Sequence, residues 1–396
     1  MRILFLTARL PYPPNRGDRL RAYHFLRVLS REHRLTLLSF IADEAESGHV
    51  GALRPFCDDI QLVHRTPLTS KVSVALNAWR PLPFQSLYYR SPVMQAAVDR
   101  LLARERFDAV YVHLFRMAQF VADRHAPYRI LDLTDAISGE VGRSLPYRDP
   151  LWRIIYRLEL PRMQRYEQEM VSRFDETWLI SAAERAAVLK AGAMGNLQVV
   201  ANGVESDRYR PHRSHAAGPV LAFVGHLGVF HNIDAAERLA RDILPKVRER
   251  LPAARLDLIG AEPEARVRAL GALPGVRVVG PVTDLNAALN EAAIFAAPLR
   301  FAAGVQNKVL EAMAAGLPVV TTSEVNAGLG AADGEQLVIA DDDAQFAAAV
   351  VALLDDAAAR SRLGRAGREF VLVNYRWEDV LERMRAIEAE PTGRGA

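Results

Sequence analysis

The sequence predicts an α/β protein built from two Rossmann-like, doubly wound domains. Two observations carry this expectation. Short apolar runs alternate with helical patterns, as in parallel sheets covered by helices on both faces. The alternation then starts afresh after a polar, Pro- and His-bearing stretch at residues 202–219. A length of 396 residues accommodates this, since domains run to roughly 150 residues each. The expected division is residues 1–202, residues 203–374, and a terminal helix with a frayed tail at residues 375–396. Such sheets bind ligands beyond the carboxyl ends of their strands, which directs attention to a cleft between the two domains.

In the first half, residues 3–7 read as a buried strand that ends in a Pro-rich loop, followed by a helix over residues 18–31 with Asp18 as its cap. Further strands are predicted at residues 34–41, 60–63, 109–112, 129–133, 177–180 and 198–200. Ser91-Pro92 starts a helix, because Ser caps and Pro suits the first turn. Ser181-x-x-Glu184 is a capping box. In the second half, strands are predicted at residues 219–224, 255–259, 276–279, 294–297, 319–321 and 336–339, with a long helix over residues 234–250. A charged amphipathic helix over residues 375–390 ends at Pro391.

Composition narrows the function classes. The net charge of +3 is too close to balance to imply nucleic acid. It is unevenly spread: residues 1–173 hold 26 basic and 18 acidic side chains, residues 174–396 hold 24 and 29, so the front half suits an anionic surface or ligand. Cys57 is the single cysteine and lies beside Asp58 and Asp59, which disfavours a thiolate. No internal disulfide can form, the N-terminal apolar run is interrupted by Arg9, and no run reaches the ~20 residues of a membrane span. The expected location is cytoplasmic, with peripheral contact at the inner face of the membrane kept open. Residues 151–165 combine Trp152 and Tyr156 with four arginines, which fits a membrane surface. The favoured reading is a domain helix with its apolar stripe in the core and its arginines wet.

Metal and dinucleotide chemistry find little support. There is no His-Glu-x-x-His, and no Gly-x-Gly-x-x-Gly follows the first strand. Asp341-Asp-Asp343 precedes an Ala-rich helix, where capping explains it. No metal and no resident cofactor are expected.

The sharpest motif spans residues 298–320. Gly304 allows a tight turn into a helix, Gly316 ends that helix, and Pro318 opens the next strand. The N–H groups of Gly304, Val305, Gln306 and Asn307 would form an anion site at the helix start. Lys308 and Glu311 are three apart and share a face. One can meet a phosphate while the other accepts from a ribose; an ordinary surface Lys–Glu pair fits the spacing equally.

Gly304-Val-Gln-Asn-Lys308, taken with residues 312–320, resembles the nucleotide-sugar motif of the retaining glycosyltransferases of family 4. Residues 9–29 resemble the opening of sugar transferases associated with bacterial exopolysaccharide and exosortase loci. Residues 200–205 resemble the family's hinge, which contains Asn202, and residues 223–227 its first C-domain strand and glycine turn, with Gly225 and His226. The resemblance covers nearly the whole chain and implies the GT-B fold: two Rossmann-like domains facing across a cleft, the terminal helix packing back on the first. Glu311 matches the second glutamate of the family's Glu-x7-Glu pattern, and Ala303 stands where the first would fall.

The resemblance also implies the activity. A nucleotide diphosphate sugar donates a hexose to a glycan or lipid-linked acceptor in exopolysaccharide synthesis, with retention and without metal. His113 falls at the position of the family's donor-sugar histidine and is expected, with Lys308, to be catalytic; a strand-end histidine bonded to backbone is the alternative. Lys308 would hold the leaving diphosphate, Gly17 and Asp18 would border the sugar, and Asp18 also suits helix capping. Two rivals remain in view, a nucleotide-sugar 2-epimerase of similar fold and a non-catalytic nucleotide-sugar-binding protein.

Overall fold

The computed structural model describes residues 1–396 except 125, 127, 213–217, 303, 379 and 381–396. Ala303 and most of the expected terminal helix thus lie outside the described residues. The chain divides into two compact units, Met1–Val200 and Ala201–Ala396.

The first unit holds seven parallel strands: β1 (Arg2–Thr7), β2 (Arg34–Ile41), β3 (Asp59–His64), β4 (Ala109–His113), β5 (Arg129–Thr134), β6 (Glu176–Leu179) and β7 (Leu197–Val199). Their order is β3-β2-β1-β4-β5-β6-β7. Register runs Ile3 to Leu35 on one side of β1 and Ile3 to Ala109 on the other. Strands β1, β2 and β4 are buried on both faces, which explains their near-continuous apolar sequences.

The second unit holds β8 (Val220–Val224), β9 (Arg255–Ile259), β10 (Val276–Gly280), β11 (Ile294–Ala297), β12 (Val319–Thr321) and β13 (Val338–Ile339), all parallel, in the order β10-β9-β8-β11-β12-β13. Every predicted strand is present.

Two helix starts differ from expectation. The first helix is Gly17–Leu29, entered from an extended Arg16. Asp18 does not cap it; its carboxylate takes an ion pair from Arg9 at 3.3 Å and the Arg19 N–H at 3.0 Å. The helix expected from residue 234 begins earlier, as Phe230–Arg238, with Asp234 inside it and its carboxylate paired to Arg300. It continues through a π turn, Leu239–Ile243, into Leu244–Arg250. Pro245 lacks an N–H and crowds the carbonyl four residues back, which the wider turn relieves. Other caps follow the sequence: Ser91 accepts from Met94 N at 3.2 Å, Ser181 from Glu184 N at 3.2 Å, and Asp342 from Gln345 N at 2.8 Å.

The stretch with four arginines lies in the helix Pro150–Arg173, and here the favoured sequence reading is corrected. The core face is Met163, Tyr166 and Met170, while Leu151, Trp152, Ile154 and Leu158 are exposed. No described helix is long and apolar enough to cross a membrane.

Candidate functional site

In each sheet the strand order reverses once, and ligands of open α/β sheets bind at that reversal. In the second unit it falls between β8 and β11. The loop after β8 carries Gly225 and His226; the loop after β11 leads through Gly304 into the helix Asn307–Ala314. Gly304 has φ +52°, a left-handed conformation that costs a glycine little. The helix presents its positive N-terminal end to the loop. Val305 and Gln306 are buried beneath the turn.

Lys308 is held in place. Its ammonium donates to Asn232 Oδ1 and lies 5.2 Å from the centre of the Phe223 ring. Asn232 Nδ2 in turn donates to the His226 carbonyl at 3.1 Å, joining the two loops. A Cβ at Gly225 would lie 2.8 Å from the Asn232 side chain, so the glycine makes room for the residue that orients the lysine. His226 Nε2 lies 3.3 Å from Glu262. Asn202 Nδ2 donates to Asn307 Oδ1 at 3.0 Å, which places the hinge asparagine at the start of the same helix.

One turn further, Glu311 shares its surroundings with Tyr209 and Arg208. Burial pushes its carboxyl up to about 7, against the pull of the Tyr209 hydrogen bond and the Arg208 and Lys308 charges. Burial and Glu311 together carry the Tyr209 hydroxyl well above its ordinary value.

In the first unit the reversal falls between β1 and β4. Gly17 begins the helix after β1, and His113 ends β4 with only 2% of its surface exposed. His113 Nε2 lies 3.1 Å from the Asp18 carbonyl oxygen, and Nδ1 lies 3.4 Å from Asp132 Oδ2. Asp132 sits at the centre of a buried network. It accepts from Arg21 Nε at 2.6 Å, from the Tyr111 hydroxyl and from Thr134 Oγ1. Burial alone would raise its carboxyl, yet Arg21 and His113 hold it well below the ordinary range. Arg21 also donates to the Val200 carbonyl at 2.8 Å. Leu114 and Thr134, at the ends of β4 and β5, have φ of +73° and +64°. Such strain in non-glycine residues collects at functional edges.

The sequence-predicted residues thus fall into two groups. Asn202, Gly225, His226, Gly304, Val305, Gln306, Asn307, Lys308 and Glu311 come together in the second unit. Gly17, Asp18 and His113 come together in the first. Sequence reasoning did not anticipate Asn232 as the anchor of Lys308, Tyr209 and Arg208 around Glu311, or the Arg21–Asp132–Tyr111 network behind His113. No motif spacing marks these residues, because they are assembled from separate elements. Outside these groups, Cys57 is partly buried with its thiol pushed up to about 12 by burial and the adjacent aspartates, and burial lowers His24 to about 3.

The loops after β8 and β11 lie within a recognisable domain. Residues 218–356 match the glycosyl transferases group 1 family. An uncharacterized 44.6 kDa protein in the cps region of Klebsiella pneumoniae is 22% identical, covering 94% of this chain and 96% of that protein. The phosphatidyl-myo-inositol mannosyltransferase of Mycobacterium leprae is 32% identical over 54% of this chain and 59% of its own length. The crystal structure of Anabaena HepE in complex with UDP and glucose superposes with a TM-score of 0.68 at 14% identity, covering 98% of this chain and 99% of that one. The fold is GT-B, two α/β units each with a parallel sheet.

Proposed function

We propose that the protein transfers a hexose from a nucleoside diphosphate sugar to a glycan or lipid-linked acceptor in polysaccharide synthesis, with retention and without metal. The observation that carries this reading is Lys308, fixed by Asn232 beside the glycine turn at the strand-order reversal of the second sheet. The group 1 match over residues 218–356 and the cps-region relative support it, as does the UDP in the HepE structure.

In this reading Glu311 accepts the ribose hydroxyls, and Asn202, through Asn307, fixes the first turn of the helix. As the sugar leaves, negative charge grows on the diphosphate. Lys308 and the N–H groups of residues 304–307 are set to stabilise it. One preorganised donor of this kind contributes on the order of 3 kcal/mol to a barrier. His226 and Gly225 shape the same loop. In the first unit, Gly17 and Asp18 are assigned to the transferred sugar. His113, buried with Nε2 against the Asp18 carbonyl, is assigned to position them.

The acceptor side is assigned to an anionic membrane surface. Leu68 (71% exposed), Val72, Leu76 (69%) and Trp79 (75%) form a stripe along and just beyond the helix Pro67–Asn77. A second exposed stripe, Leu151, Ile154 and Leu158, runs along Pro150–Arg173. Arg162, one turn after Leu158, reaches the Ala78 carbonyl at 3.5 Å, so the two stripes adjoin. No Asp or Glu occurs between Asp59 and Asp99, whereas Lys71, Arg80, Arg157 and Arg165 border the stripes. Apolar side chains fringed by cations suit an anionic bilayer surface.

The test begins with a thermal-shift screen of nucleotide sugars, followed by an assay of nucleoside diphosphate release with a lipid-linked acceptor fraction. Lys308→Ala should fold normally and release diphosphate about 10²–10³-fold more slowly. Near-wild-type release by that variant would overturn the reading. Release of a free epimeric nucleotide sugar without acceptor would make the protein an epimerase; binding with no product would make it a binding protein.

A further inference from the structure

Three arginines gather at the ligand edge of the first sheet without enough negative charge to balance them. Arg9 follows β1 by two residues, Arg65 is the first residue after β3, and Arg116 follows β4 by three. They are far apart in sequence, and the parallel topology brings them to one edge, around Tyr89. The Arg65 guanidinium carbon lies 4.3 Å from the centre of the Tyr89 ring, and that of Arg116 lies 5.2 Å from it. Arg9 lies close enough to Tyr89 to interact with it electrostatically.

The compensation is incomplete. Asp18 pairs with Arg9 and also attracts Arg116, so one carboxylate serves two of the three arginines, and the other nearby carboxylate, Glu46, pairs with Arg19. Arg65 donates to the Ser70 hydroxyl at 2.8 Å, a neutral partner. Among the described residues, neither Arg65 nor Arg116 has a carboxylate within ion-pair distance, and the buried Nε of each lacks a hydrogen-bond partner. Assembling like charges and leaving their donors unmade costs stability. A fold that retains such a group has a use for an anion there. Guanidinium forks match the paired oxygens of phosphates, and two unbalanced charges suit a group more highly charged than a single carboxylate.

We propose that Arg9, Arg65 and Arg116 bind a phosphate or diphosphate group carried by the acceptor. This rests on the glycosyl-transfer reading above for the word acceptor, but the anion site itself does not. The site adjoins Asp18, assigned there to the transferred sugar. The helix Pro67–Asn77, with its exposed apolar stripe, begins two residues after Arg65. A lipid diphosphate and a phosphorylated soluble glycan share the chemistry the arginines recognise.

Calorimetric titration with inorganic pyrophosphate separates this site from the one at Lys308. Wild-type protein should show two classes of site. Arg65→Gln/Arg116→Gln should lose one with at least a tenfold drop in affinity and keep the other, and Lys308→Ala should do the reverse. The Lys308→Ala result reports on the glycosyl-transfer reading, so the two proposals fail separately. An unchanged isotherm for the double variant overturns the arginine site. If the double variant does not fold, Arg65→Lys/Arg116→Lys keeps the charge without the fork; it should bind pyrophosphate more weakly than wild type, and equal binding overturns the proposal. Repeating the titration with a short isoprenyl diphosphate in detergent identifies the source. Tighter binding than pyrophosphate points to a lipid acceptor, equal binding to a soluble one, and no arginine-dependent binding of either probe overturns the proposal.

Discussion

The two strand-order reversals, each proposed above to hold an anionic group, are built by different means. In the second unit the loops between β8 and β11 rely on backbone: a left-handed glycine turn, the start of a helix, and one ammonium steered by Asn232. In the first unit the loops between β1 and β4 rely on side-chain charge. A fully buried Arg21–Asp132 pair lies behind His113, and three arginines cluster in front. Backbone donors are available to any sequence that makes the turn. Charge networks depend on every partner being present, so the first unit is the more fragile under single substitutions.

The largest effect is expected where that difference is greatest. Asp132→Asn leaves Arg21 charged and buried without its partner, and breaking such a pair costs about 3–5 kcal/mol. Its counterpart in the second unit is Arg238, which pairs with Asp343 but also donates to the carbonyls of Pro298 at 3.0 Å and Asp341 at 2.6 Å. Asp343 is about a third exposed, so Asp343→Asn should cost about 1 kcal/mol or less. Hydrogen exchange resolves the units, with β5 reporting on one and β11 on the other. Equal losses of protection would break the comparison.

A smaller effect separates the units by pH. Glu311 has a folded-state value of about 7 against an ordinary 4.5, raised by burial. A raised carboxyl contributes stability that is fully present below 4.5 and is lost as pH rises through about 7. In the proposed reading ligand binding runs the other way, since there the ionised carboxylate accepts two ribose hydroxyls. Affinity for a nucleoside diphosphate should therefore rise about fivefold as pH passes 7, reflecting the roughly 1 kcal/mol by which charged hydrogen bonds exceed neutral ones. In Glu311→Gln this rise should vanish. In the first unit, Arg9, Arg116 and His113 hold Asp18 below its ordinary value despite burial, so it stays ionised throughout and adds no such step.

The same contrast governs what could be read from sequence. The site of the second unit is local. Gly304, Lys308, Glu311, Gly316 and Pro318 lie within one turn–helix–strand unit, and glycine and proline mark its corners. The central strands β1, β2 and β4 are legible because parallel strands buried on both faces are nearly pure apolar runs. The site of the first unit is dispersed. Arg9, Arg65 and Arg116 follow three different strands, and Arg21 meets Asp132 across 111 positions. No local pattern distinguishes these arginines from solvated ones. Asp18 misled because it stands where a cap would serve, but Arg9 and the Arg19 N–H claim its carboxylate. The exposed stripe on Pro150–Arg173 was misassigned because periodicity reveals an apolar face without revealing whether anything covers it.

That stripe supports the smallest effect on stability and a clear one on location. Leu151, Leu158 and Trp79 are well over a third exposed, so replacing each with Ser should change stability by only about 0.5 kcal/mol. If the stripes enter a bilayer surface, each leucine instead contributes about 2 kcal/mol to binding. Leu151→Ser/Leu158→Ser should then reduce co-sedimentation with phosphatidylglycerol vesicles at least tenfold. Binding to phosphatidylcholine vesicles should be weak throughout, and added salt should weaken the anionic case by screening the bordering cations. The double variant should still titrate with pyrophosphate at Arg65 and Arg116. Wild-type vesicle binding by the variant would remove the stripes from the membrane contact and leave the arginine cluster as the first unit's only anionic attachment proposed from the structure.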